Sequence, residues 1–268
     1  MIEVERASID RPSTAQSPPV AYQLGFWSAV LATLAAVGFP VGLVFTAFAF
    51  PAQSWTGDIR AYAASYSSGA MAATVIPSLL IAPAFLGLVA ALHAMTPAAK
   101  RPLATLAVAL ASVYATTVGI NYFLQLTVVR QSLEAGAIEG MALYAMPNLH
   151  SIFWALEFLG YFWQGSAAAL IALTLDRGRL QLWIRWLFIV VFVAGALGIV
   201  AGIRGVTSFT DPVMIVGSAP WVVAFPLATA LCAFHFHRLH ASPCTCTPSW
   251  RESSRRSATR SRAKVQMQ

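Results

Sequence analysis

One acidic residue lies deep inside an apolar run: Glu157, within Pro147–Leu175. A charged side chain at mid-span costs about 2.5–3.5 kcal/mol on insertion scales, so such a residue is a functional candidate by default. His150, Glu157 and Gln164 are spaced by seven residues. At 3.6 residues per turn, that spacing puts them on nearly one helix face, bordered by Trp154 and Tyr161. In the preceding apolar run, Leu103–Val129, a stripe at helical spacing holds Tyr114, Asn121 and Gln125. Counted from the loop joining the two runs, Asn121 and Gln125 fall at roughly the depth of His150 and Glu157. The sequence predicts a polar cluster of Asn121, Gln125, His150 and Glu157, reached by Arg204 from the next run. Tyr114 and Gln164 share the two faces and complete the candidate ligand-binding set.

Three chemistries suit such a cluster. It could bind a small molecule, lipid or ion. Glu157 and His150 could act as acid and base in an intramembrane enzyme. Or the cluster could be structural, a set of interhelical hydrogen bonds in a scaffold or partner subunit. No Ser or Cys nucleophile stands beside the pair, and no helical His-x-x-x-His suggests zinc. The leading expectation is a non-enzymatic pocket between the third and fourth spans. A weaker candidate is His235, His237 and His240 followed by Cys244 and Cys246, ligand types for zinc or copper. Their spacing matches no zinc finger, and a helix end running into a tail explains them more simply. No phosphate-binding loop, dinucleotide fingerprint, kinase or hydrolase motif is present, so no cofactor is expected.

Composition says what must hold these residues. The chain has 268 residues, 58% hydrophobic and 10% charged, with mean hydropathy +0.68. Soluble domains average about 25% charged, and disorder requires low hydrophobicity, so both classes are excluded. About 20 apolar residues cross a bilayer. Six runs qualify: Leu24–Phe50, Ala70–Met95, Leu103–Val129, Pro147–Leu175, Leu180–Ile203 and Val213–His237. They are long and continuous, without the alternation of a transmembrane barrel. The predicted fold is an all-α polytopic bundle over residues 24–240, flanked by a polar segment 1–23 and a tail 241–268 read as disordered. The polar segment lacks the short apolar stretch of a cleavable signal peptide, and the first run is read as an uncleaved span.

Arg6 and Arg11, Lys100 and Arg101, Arg177 and Arg179, and a tail with six basic residues against Glu252 fall on one side. The other side carries Arg60, Arg130 and Arg204, one per loop. The positive-inside rule therefore places both termini in the cytoplasm. The bilayer is the obvious partner. The tail is read as a retention signal with anionic-lipid contact as an alternative, and its scarce aromatics speak against nucleic acid. Trp27, Trp183 and Trp186 fit an inner aromatic belt, and Trp154 and Trp221 an outer one. Gly198 and Gly202, like Gly38 and Gly42, form small-x-x-x-small pairs suited to close helix contact. Pro77/Pro83 and Pro220/Pro226 share a spacing of six, but the remainder of the two runs matches poorly.

The segments Pro77-Ser-Leu-Leu-Ile-Ala-Pro-Ala-Phe-Leu, Asn121-Tyr-Phe-Leu-Gln-Leu-Thr-Val-Val, Leu156-Glu-Phe-Leu-Gly-Tyr-Phe and Trp183-Ile-Arg-Trp-Leu-Phe resemble a group of uncharacterised bacterial multi-pass membrane proteins. The resemblance covers roughly residues 70–200. It implies about six helices and a bacterial inner membrane, and carries over no activity or catalytic residue.

Overall fold

The computed structural model describes residues 19–50 and 55–241. It is all-helical there. Helix α1 spans Pro19–Ala49, the short α2 Ile59–Ser65, and α3 Ser68–Ala94. Helix α4, Arg101–Leu124, passes through a π turn at Gln125–Val129 into α5, Arg130–Glu134. Then follow α6, Ile152–Thr174, α7, Arg179–Arg204, and α8, Pro212–Ala241. Six helical segments are long and apolar enough to cross a membrane, the α4–π–α5 rod counting as one.

Local chemistry sets the boundaries. Ser67 caps α3 by accepting from Ala70 N, and Ser151 caps α6 by accepting from Trp154 N, the usual duty of a hydroxyl at a helix start. The fourth span therefore begins at Ile152, not at Pro147 as predicted. At the other end of α6, Arg185 donates to Ala172 O and Leu175 O, and Lys100 Nζ to Thr174 O. Lys100, which counts toward the positive-inside bias, and Arg185 thus satisfy the orphan carbonyls of a helix C-terminus.

Each long helix packs on the next in sequence, α1 on α3, α3 on α4, α4 on α6, α6 on α7 and α7 on α8, and α8 returns to α1. The helices form a closed ring. Six antiparallel passes bring both ends of the described chain to one end of it, here called proximal, and segments 55–67, 135–151 and 205–211 to the distal end. The outer face is greasy: Phe48 is 89% and Ile203 82% exposed, joined by Leu106, Phe123 and Val193. A soluble monomer avoids so continuous an apolar surface. Trp27, Trp183 and Trp186 are exposed near the proximal end, as a belt requires.

Two seams depend on missing side chains. On α1, Gly42 lies against Ala73 O of α3, the carbonyl that Pro77 cannot bond. On α7, a Cβ at Gly195 would sit 2.5 Å from Tyr161 O of α6. Both glycine contacts join helices of the same chain. Gly202 faces the Phe158 ring, and Gly198 has ordinary room beside it.

Candidate functional site

Inside the ring, α6 presents Phe153, Glu157, Gly160 and Gln164 inward, all buried. Facing it, α4 buries Tyr114, Val118, Asn121 and Tyr122. Glu157 is 4% exposed and joins the two helices. Asn121 Nδ2 donates to Glu157 Oε1 at 2.8 Å and to Phe153 O at 3.1 Å. Tyr122 Oη donates to Glu157 Oε2 at 2.9 Å, and its oxygen lies 3.4 Å from Tyr161 Oη. Each carboxyl oxygen thus has one donor, and among the described residues no Lys, Arg or His comes within ion-pair distance. The predicted pairing of Asn121 with Glu157 is present. Tyr122 went unpredicted, because as the neighbour of Asn121 it is turned about 100° from the Tyr114–Asn121–Gln125 stripe.

Other predicted members stand elsewhere. His150 precedes the Ser151 cap, so the seven-residue helical register does not extend to it. It is exposed, with Nε2 3.4 Å from Gly205 O. It borders a separate cavity of about 530 Å³ beside Thr207–Thr210. Gln125 keeps the α-helical bond to Asn121 O and is buried at the entry to the π turn, one turn beyond Asn121, where it faces the 135–151 loop instead of α6. Its Nε2 donates to Tyr144 O at 2.9 Å. Arg204 ends α7 exposed and does not reach the cluster. Gln164 lies deeper, accepting from Trp221 Nε1 of α8 at 2.8 Å. Of the metal candidates, His235 Nδ1 faces Gln181 at 3.5 Å while the His237 ring packs toward Phe26. The two imidazoles point apart. The His240 side chain, Cys244 and Cys246 lie outside the described residues, and no metal-holding group forms among those described.

Tyr161, Trp221, Phe225, Phe85 and Tyr114 make a closed circuit of ring contacts, with centroids 4.9, 5.2, 5.7, 5.9 and 6.1 Å apart in turn. This aromatic layer fills the ring's middle. Above it, toward the distal end, the helices line a partly open cavity of about 770 Å³, within the range of small-molecule sites. Glu157, Tyr122 and Tyr161 form one wall, and Trp221, Phe39 and Met71 line others. The cavity lies at the centre of the ring, not in the α4–α6 seam where the sequence places a pocket. Trp154 and Trp221 line it instead of forming an outer belt, and Trp154 Nε1 donates to Met146 O at 2.6 Å.

The tyrosines of this region differ in a measurable way. Tyr114 Oη is buried with no hydrogen-bond partner among the described residues, whereas Tyr122 Oη holds Glu157. Tyr114→Phe is therefore expected to be neutral or to stabilise by up to about 1 kcal/mol, and Tyr122→Phe to cost about 1 kcal/mol. Unfolding midpoints in one detergent check the contrast; equal losses in both would contradict it.

Compared with protein families, curated proteins and solved structures, the chain matches none.

Proposed function

We propose that the chain is a multi-pass protein of the bacterial inner membrane, with both termini cytoplasmic, that binds a small amphipathic molecule or lipid in the distal cavity. The carrying observation is a lone carboxyl group on the wall of a mostly apolar chamber, held by two donors and without a basic partner. Intramembrane acids are costly and mark sites, and an apolar pocket with a few fixed polar groups suits a ligand of mixed character. The aromatic circuit separates the chamber from the proximal half, which favours binding over passage. The binding reading is favoured over the enzymatic alternative because Glu157 and His150 border two adjoining cavities, which share Pro147 and Phe209, and not one.

Ser218 lines the cavity from α8, and Ser218→Phe should fill it. In nanodiscs, the wild type is expected to bind at least one ten-carbon amphiphile (decanol, decylamine or decanoate) saturably. Trp154 and Trp221, both on the lining, provide the fluorescence signal. Ser218→Phe should abolish the saturable phase. If no probe shows a phase sensitive to this variant, the chamber is not a binding site.

A further inference from the structure

The hydrogen-bonding roles around the chamber point to its ligand class, an inference that rests on the binding reading above. A hydroxyl has one hydrogen to give, and once that is given it can only accept. Thr46, Thr74, Ser78 and Ser218 all line the cavity. Each donates to a carbonyl of its own helix: Leu43 O at 2.9 Å, Met71 O at 3.0 Å, Thr74 O at 2.9 Å and Met214 O at 2.6 Å. The indoles are equally committed, Trp154 to Met146 O and Trp221 to Gln164 Oε1. Asn121 spends both amide hydrogens on Glu157 and Phe153. With Tyr122 donating to Glu157, the contact between the two tyrosine hydroxyls takes the Tyr161 hydrogen.

The side chains at the wall therefore keep lone pairs and almost no hydrogens. Among the described residues, Tyr62 on α2, outside the spans, is the exception. Burial pushes its hydroxyl up to about 12, so it stays protonated at working pH. No Lys, Arg or His among the described residues borders the chamber. An anionic head group would meet the Glu157 carboxyl and hydroxyl lone pairs, with nothing to neutralise it. An ammonium or hydroxyl head group would supply the donors that the wall lacks, and an ammonium would give Glu157 the counter-charge that the protein does not provide.

We propose that the distal chamber selects amphiphiles carrying a hydrogen-bond donor head group, a primary amine above all, and rejects carboxylates of the same chain length. The test is a matched series of decylamine, decanol and decanoate. It uses the full chain in nanodiscs of zwitterionic lipid, with signals from empty discs subtracted. In the wild type, decylamine should bind at least about tenfold more tightly than decanoate, with decanol between them. In Glu157→Gln the amine should fall to within about threefold of decanol. Decanoate binding as tightly as decylamine, and lost in Ser218→Phe, would overturn the donor rule and leave the chamber a binding site. Absence of any saturable phase sensitive to that variant would overturn both. The wild-type ratio alone decides the selectivity if Glu157→Gln does not fold.

Discussion

Asn121→Leu is expected to cost about 2 kcal/mol of unfolding free energy, well above the mean of about 0.6 kcal/mol for interhelical hydrogen bonds in a membrane protein. The excess arises from what is left behind. Asn121 gives one hydrogen to Glu157 Oε1 and the other to Phe153 O, so leucine strands a buried carboxyl oxygen and weakens the α4–α6 seam together. Glu157→Leu, by contrast, removes the group that needs satisfying, and replacing a buried ionisable group with an apolar one is often neutral or stabilising. In the Glu157→Leu background the second substitution should cost less than about 1 kcal/mol, a coupling of about 1 kcal/mol or more. Reversible unfolding of the four proteins in one detergent measures the cycle. Equal costs in both backgrounds would mean that Asn121 acts on the Phe153 carbonyl alone, with the carboxyl indifferent to it.

The same residues show how far the sequence reaches. The six spans were legible because their signal is additive: each is an uninterrupted run longer than the bilayer needs. Asn121 and Glu157 were legible because both lie well inside regular helix, where a count of residues gives face and depth. His150 and Gln125 lie where the helical register breaks. Ser151 stops α6 one residue after the first, and the second sits at the entry to the π turn, where it meets Tyr144 O of the following loop and not α6. Neither break has a strong sequence mark, since serine is common in spans and Leu-Thr-Val-Val reads as ordinary helix. Trp154 and Trp221 were placed correctly in depth but on the wrong face, because depth follows from counting and facing depends on ring closure. That closure, α8 against α1, joins the two ends of the chain. It creates a central chamber that no pairwise reading of adjacent spans contains. Arg204 illustrates the same limit. Its position at the distal end of α7 was right, and its reach depended on a direction that only packing fixes.

Gly195→Leu is expected to cost about 3 kcal/mol or more. Its Cβ would lie 2.5 Å from Tyr161 O, 3.0 Å from Tyr161 C and 3.1 Å from Phe162 Cα. Those atoms are backbone and have no rotamer to escape into. The reciprocal glycine, Gly165 on α6, would bring its Cβ to 2.7 Å from Phe192 Cα, so the two helices close on one another from both sides. Tyr161 is in addition the residue through which this seam meets the chamber wall and the aromatic circuit. Pushing its backbone outward would part the ring contacts to Trp221 and Tyr114, open the chamber toward the proximal half and loosen the hydroxyl pair with Tyr122. Gly198→Ala is the control. One turn farther along α7, its Cβ would meet only the Phe158 ring, at 3.5 Å, so a loss under about 0.5 kcal/mol is expected there. Thermal unfolding and size-exclusion profiles of the two variants separate the outcomes. A Gly195→Leu protein with wild-type midpoint and intact probe binding would show that α6 and α7 do not meet through backbone, and the ring would have to close differently around the chamber.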